Sequence, residues 1–293
     1  MEHEKYESYY VPEQSPWPII GAIGLFLMAL GSGLWLQQRE LSIPQNGYIV
    51  LLLGCFFIFF MMFGWFRHVI QESMQGLYSK QMDRSFRQGM SWFIFSEVMF
   101  FTAFFGALFY IRMFAVPWLS GAGNNAMTHA VLWPEFEATW PLVTTPDGSV
   151  TKPMPWQGLP LMNTVLLLVS SVTLHFAHVG LEQNKRKQTT VYLMLTLILG
   201  GLFLSFQWQE YMHAYHELDL TLDAGVYGNT FFLLTGFHGM HVTLGSLILF
   251  VLLIRVLCGH FTPTKHFAFQ AGSWYWHFVD VVWLCLFVFV YVL

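Results

Sequence analysis

Glu97 lies in SFRQGMSWFIFSEVMFFTAFFGALFY, residues 85–110, and between Arg87 and Arg112 it is the only charged side chain. A helix rises ~1.5 Å per residue, so this run is long enough to cross a ~30 Å hydrocarbon layer, with Glu97 near the middle. An ionised carboxylate at that depth costs roughly 2.5–3.5 kcal/mol. Glu97 is therefore expected to be protonated, paired, or turned toward a buried polar cavity. Two roles fit it: a neutral acid satisfied by a neighbouring helix, or a proton-handling carboxylate. Histidines recur at helical i, i+3 spacing as His175/His178, His213/His216 and His238/His241, and His277 with Asp280 repeats that spacing. Paired imidazoles in a membrane suit haem or copper. They equally suit hydrogen bonding between helices. The second reading is preferred, because no pair sits in a haem-attachment motif and spacing along one helix does not place two histidines on facing helices. No catalytic residue and no metal ligand is assigned.

These residues must be positioned by membrane helices. Of 293 residues, 55% are hydrophobic and 10% charged, and the mean hydropathy is +0.51. A soluble domain is about a quarter charged. The apolar runs are continuous, whereas a barrel alternates in short segments. The fold class expected is an all-α integral membrane protein. Cys55, Cys258 and Cys285 are scattered through apolar runs and make no disulfide frame, CxxC or haem-attachment site. The longest basic patch is Lys185-Arg186-Lys187, which gives no support for nucleic acid. The N-terminus is polar and acidic, without the basic start and small-residue cleavage site of a signal peptide.

Seven spans are expected, at about 17–36, 47–66, 85–114, 161–179, 190–212, 228–257 and 271–293. The second is opened by Pro44-Gln45-Asn46, and a polar connector, Arg67–Arg84, follows it. Pro117 is expected to end the third, and residues 117–160 form a long Pro-, Gly-, Asn- and Trp-rich loop with Glu135, Glu137 and Asp147. Glycines 21, 24, 31 and 33, the Gly200-Gly201 pair and those of TGFHGMHVTLGS (235–246) are read as helix-contact surfaces. Ten of the 13 Lys and Arg, Lys5 among them, fall on the N-terminal side of the spans. The positive-inside rule then puts the N-terminus inside and the C-terminus outside. Trp65, Arg67, Glu72, Arg255 and Lys265 fall at the inner border, either as interfacial anchors or as a basic pocket for anionic lipid head groups.

The segments SPWP (15–18), WFRHVIQES (65–73), FIFSEVMFFTAFF (93–105), DAGVYGNTFFLLTGFHGMHVTLGS (223–246) and HFAFQAGSWYWHFVDVVW (266–283) resemble, in order, signature segments of the cytochrome c oxidase subunit III family. Together they are highly specific and touch most of the spans. The match is weakest over residues 117–160, which are longer and more polar than in mitochondrial members.

The resemblance implies a seven-helix, non-catalytic subunit of a haem–copper oxidase, a translocase that reduces oxygen and pumps protons in aerobic respiration. Haem and copper would sit in partner subunits I and II, cytochrome c would reach the complex as electron donor, and this chain would hold phospholipid. It further implies helices one and two (residues 1–84) and three to seven (85–293) arranged as a V. By the same resemblance Glu97 matches a buried helix-three carboxylate, with His241 preferred to His238 as its partner. Trp65, Arg67, Glu72 and Arg255 would lie near lipid head groups, and Gln71 departs from an arginine common in mitochondrial members. The long loop and the unfused chain suggest a bacterial member, in the inner membrane with a cytoplasmic N-terminus and periplasmic C-terminus. Quinol oxidase and nitric oxide reductase relatives resemble the last five helices and usually lack the first two. A free-standing transporter would show inverted repeats and broken helices, and neither is evident.

Overall fold

The computed structural model describes residues 10–41, 43, 46–144 and 150–293. The acidic start with Lys5, the Pro44-Gln45 opening and Asp147 lie outside the described residues. Among the described residues, seven helices are long and apolar enough to cross a membrane. They are α1 (Trp17–Glu40), α2 (Gly47–Met74), α3 (Lys80–Tyr110, prolonged to Leu119), α6 (Leu159–Glu182), α7 (Arg186–Glu217), α8 (Gly225–Leu257) and α9 (Phe267–Leu286, prolonged to Val292). Two short helices, α4 (Val116–Leu119) and α5 (Ala126–Leu132), lie between α3 and α6.

Several helices outrun the apolar spans. The Arg67–Arg84 connector is helical to Met74 and again from Lys80, so it is not a loop. Polar side chains stop partitioning into hydrocarbon, but they do not stop a helix. The break comes near Gly76, whose φ of +74° is open to glycine. Pro117 does not end the third helix either. A π-helical turn, Ile111–Ala115, precedes it and α4 follows. Proline lacks the N–H that would bond the carbonyl four residues back, and a π turn accommodates that loss.

The chain forms two compact units, Met1–Phe86 and Arg87–Leu293. In the first, α1 packs on α2 through glycines. A Cβ on Gly31 would lie 2.2 Å from the Leu51 backbone, and one on Gly54 would lie 2.6 Å from that of Met28. Gly33, by contrast, faces open space. Without a hydrophobic drive between helices in lipid, this close approach supplies the attraction. The outer faces carry large apolar side chains, Phe56, Phe59 and Phe63 among them.

In the second unit, α6, α7, α8 and α9 pack as a ring, each against the next and α9 back on α6. Its interior combines an apolar core, with Leu174, Phe203, Phe231 and Trp276 fully buried, and buried polar groups. Asn163, Ser170, Thr196, Gln207, Glu210 and His238 are buried, while Val165, Leu202, Phe250 and Val281 are exposed. Polar groups turned inward and apolar side chains turned outward are expected of a bundle solvated by lipid. Hydrogen bonds tie the ring together. Trp276 Nε1 donates to Ser170 Oγ and Trp283 Nε1 to Thr164 Oγ1, both at 3.0 Å, and the hydroxyls of Tyr211 and Thr235 are 2.8 Å apart. Trp276 fits because Gly200 and Gly245 leave room; a Cβ on either would lie within 3.0 Å of its ring. Gly201 and Gly239 face open space and are not contact surfaces. The long loop folds onto the same unit: Met154 N donates to the Tyr227 hydroxyl at 3.2 Å and Lys152 N to the Leu218 carbonyl at 3.0 Å.

Candidate functional site

The residues of α3 from Arg87 onward make no comparably close backbone approach to the ring. They reach it through long side chains. Phe93 stacks on Tyr275 of α9 at 6.1 Å, Phe101 lies 6.2 Å from Phe278, and Phe100 meets Phe237 of α8 edge-on at 5.1 Å. Bulky rings hold the helices apart, and polar links cross the gap at two levels: Arg87 of α3 donates to Gln270 Oε1 of α9 at 2.5 Å, and Glu97 meets α8 deeper in the bundle. Glu97 Oε2 lies 2.8 Å from His241 Nε2. The His241 side chain is 6% exposed and that of Glu97 is 23% exposed. Phe101 closes over the imidazole at 5.0 Å and Tyr275 stacks on it at 6.4 Å.

The proton arrangement follows from the second ring nitrogen. His241 Nδ1 is 2.6 Å from the Phe237 carbonyl. A carbonyl only accepts, so Nδ1 carries a hydrogen. Nε2 then has two possibilities. Either it is a lone pair that accepts from a protonated Glu97, or it is N–H and donates to an ionised one. Both forms hold one proton between the two groups, and the bond survives a transfer of that proton along its axis. The shared proton can therefore sit on either group without changing the geometry of the pair.

His238 does not join this pair. It is fully buried against Phe203 and Trp283, at ring separations of 5.7 Å and 5.0 Å, and neither ring nitrogen has a partner among the described residues. The i, i+3 histidine pairs do not converge on shared partners. His213 lies 3.1 Å from Glu217, His178 lies 3.7 Å from Glu182, and His277 Nδ1 lies 2.6 Å from Ser171 Oγ. His175 and His216 are exposed.

The border residues divide between the two units. In the first, Trp65 is exposed and stacks on Phe66 at 5.6 Å. Arg67 is exposed and lines a groove of about 410 Å³ together with Trp17, Phe60, Phe63 and His68. Trp17 sets one wall: its Nε1 donates to His68 Nδ1 at 3.0 Å. Glu72 is engaged elsewhere. Tyr78 donates to Oε2 at 2.7 Å and Tyr10 to Oε1 at 3.2 Å. Burial and the adjacent Glu72 carboxylate push the Tyr78 phenol well above its usual range, so it remains a donor. In the second unit, Arg255 is 9% exposed, its guanidinium lies 4.4 Å over the Phe261 ring, and Nε has no partner among the described residues.

One buried acid escaped the sequence reading. Glu210 is fully buried in α7 and accepts a 2.6 Å hydrogen bond from Tyr291. The signal was present, since Glu210 lies within the expected span 190–212. Its polar neighbours, in QWQEYMHAYHE (207–217), make it look like the aqueous end of a helix.

Seven helices long and apolar enough to span a membrane define a multi-pass membrane protein, and the Glu97–His241 pair links two of them. The family model of cytochrome c oxidase subunit III matches residues 7–293. Proteins named cytochrome c oxidase subunit 3 from Salmo salar, Oncorhynchus clarkii and Cyprinus carpio are each 39% identical over 292 residues, covering 99% of this chain and 98% of theirs. The chain belongs to the cytochrome c oxidase subunit III family.

Proposed function

We infer that this chain is a non-catalytic core subunit of a membrane cytochrome c oxidase. In that complex subunits I and II carry haem and copper, take electrons from cytochrome c, and couple oxygen reduction to proton pumping. The observation that carries the reading is the family match across residues 7–293 of a chain with seven candidate membrane helices. Within the complex, the Glu97–His241 pair ties α3 to α8, keeps one proton in that joint, and helps sustain proton uptake. The outward face of α3, with Trp92, Phe95 and Met99 exposed, would pack on subunit I. His238 adds a buried imidazole in the same helix without taking part in the pair.

Phospholipid is the second element of the proposal. The groove beside Arg67 has aromatic walls and cationic character at Arg67, which suits an acyl chain and a phosphate. Arg255 is a buried cation whose Nε has no partner among the described residues, and an anionic head group would satisfy it. Trp65 anchors the border, while Glu72 serves it through the tyrosine clamp. The long loop and the ten-of-13 distribution of Lys and Arg support a bacterial inner membrane with a cytoplasmic N-terminus.

The test is affinity purification through a tag on this chain in mild detergent. Haem, copper and cytochrome c oxidation should co-purify in fixed ratio. Recovery of the chain without a haem-bearing partner would overturn the reading.

A further inference from the structure

At the junction of α6 and α9, among the described residues, His178, Glu182 and His266 offer three ligand atoms that all lie within 4.8 Å of one another. His178 and Glu182 are one helical turn apart on α6, with Nε2 and Oε1 separated by 3.7 Å. That is beyond hydrogen-bonding distance. His178 Nε2 is buried and has no hydrogen-bond partner among the described residues. Its ring is held between Phe269 at 5.7 Å and His266 at 5.5 Å. His266 Nδ1 lies 3.2 Å from the Thr262 carbonyl, so Nδ1 donates and the lone pair falls on Nε2. A carbonyl that fixes the tautomer and ring orientation is the outer support that metal-binding imidazoles characteristically have.

We propose that His178, Glu182 and His266 form a binding site for a divalent zinc-like cation at the membrane border. Two imidazoles and one carboxylate match the ligand preference of zinc, and water would complete the tetrahedron. A zinc ion with ligands at ~2.0–2.2 Å needs the three atoms closer together than they stand. Glu182 is 55% exposed, so its carboxylate has room to adjust to an ion. The C-terminal turn of α6 and the N-terminal end of α9 meet here, and their opposing dipoles offset. Lys185, Arg186 and Lys187 follow shortly after Glu182 and oppose a cation, so the direct ligands have to supply the affinity. The site goes beyond the reading above, and only its test, run on the haem-bearing complex, rests on that reading. It concerns an exchangeable ion at the aqueous border, with no redox role.

The test uses the assembled complex, stripped with a mild chelator and titrated with zinc chloride alone. Bound zinc is counted by mass spectrometry, and the zinc absorption edge reports its scatterers. Parent complex should bind one zinc more than the His266→Gln and Glu182→Gln complexes, or bind it at least tenfold more tightly, since disturbing even the outer support of a ligand weakens metal binding about 10–100-fold. Both substituted residues reach solvent, so assembly should be intact, which the haem spectrum checks. His213→Gln, which disrupts a separate His–Glu pair, should leave the extra zinc in place. Equal zinc stoichiometry and affinity in parent, His266→Gln and Glu182→Gln would overturn the proposal, as would an absorption edge unaltered between them.

Discussion

Replacing Glu97 separates a structural hydrogen bond from an ionisable group. In Glu97→Ala, His241 Nε2 is left in a pocket where its side chain is 6% exposed. Stranding a buried polar group costs about 1–3 kcal/mol in soluble proteins. Interhelical hydrogen bonds in membranes measure less, averaging about 0.6 and reaching about 1.7 kcal/mol. Glu97 is itself 23% exposed, which lowers the figure, while the sparse backbone approach of α3 to the ring raises the share this bond must carry. The expected loss for Glu97→Ala is about 1–2 kcal/mol. Glu97→Gln keeps an N–H to donate to Nε2, so its loss should be under about 1 kcal/mol. The assay is detergent-induced unfolding of the complex, run as a double-mutant cycle with His241→Ala. The cycle should return a coupling of at least about 0.5 kcal/mol. Zero coupling, or a Gln variant as unstable as the Ala variant, would refute the reasoning. Proton yield and active lifetime should separate Gln from the parent even where stability does not, because Gln cannot hold the shared proton.

The other expectations concern separate parts of the chain. Gly200→Leu should drive a side chain into Trp276 and cost about 1–3 kcal/mol in unfolding, whereas Gly201→Leu, facing open space, should cost little. Tyr291→Phe should destabilise by a similar about 1–3 kcal/mol by leaving Glu210 Oε1 without its donor; unchanged unfolding would mean that the bond is idle. Arg67→Ala with Arg255→Ala should reduce the phospholipid retained per complex through delipidation, and equal retention would reduce both to interfacial anchors. A reporter active only outside the membrane should be silent when fused at Asn184 and active at Gly123; the reverse would invert the orientation.

What the sequence revealed depended on which physics dominated. Span number is set by the length of apolar runs against the thickness of hydrocarbon, and both are visible in sequence. Helix ends are not, because α2 runs on through Arg67, His68 and Glu72 past its apolar span, and the π turn at Ile111–Ala115 absorbs Pro117. Glu97 stood out because it was alone among apolar residues. Its link to His241 joins residues far apart in sequence and follows from the packing of α3 on α8, and resemblance rather than spacing pointed to it. The i, i+3 histidine spacing showed which imidazoles share a face, but not what they meet: Glu217 lies beside His213 and Ser171 beside His277. Glu210 was concealed by polar neighbours, and its donor Tyr291 comes from the far end of the chain.

The central claim is that this chain supports an oxidase without holding its redox centre. Selective removal of the chain from the purified complex tests it most directly, by following haem spectrum, initial oxygen consumption and active lifetime in one preparation. The account predicts an unchanged haem spectrum, a substantial initial rate and a shortened lifetime. Loss of haem absorbance in step with loss of the chain would contradict it.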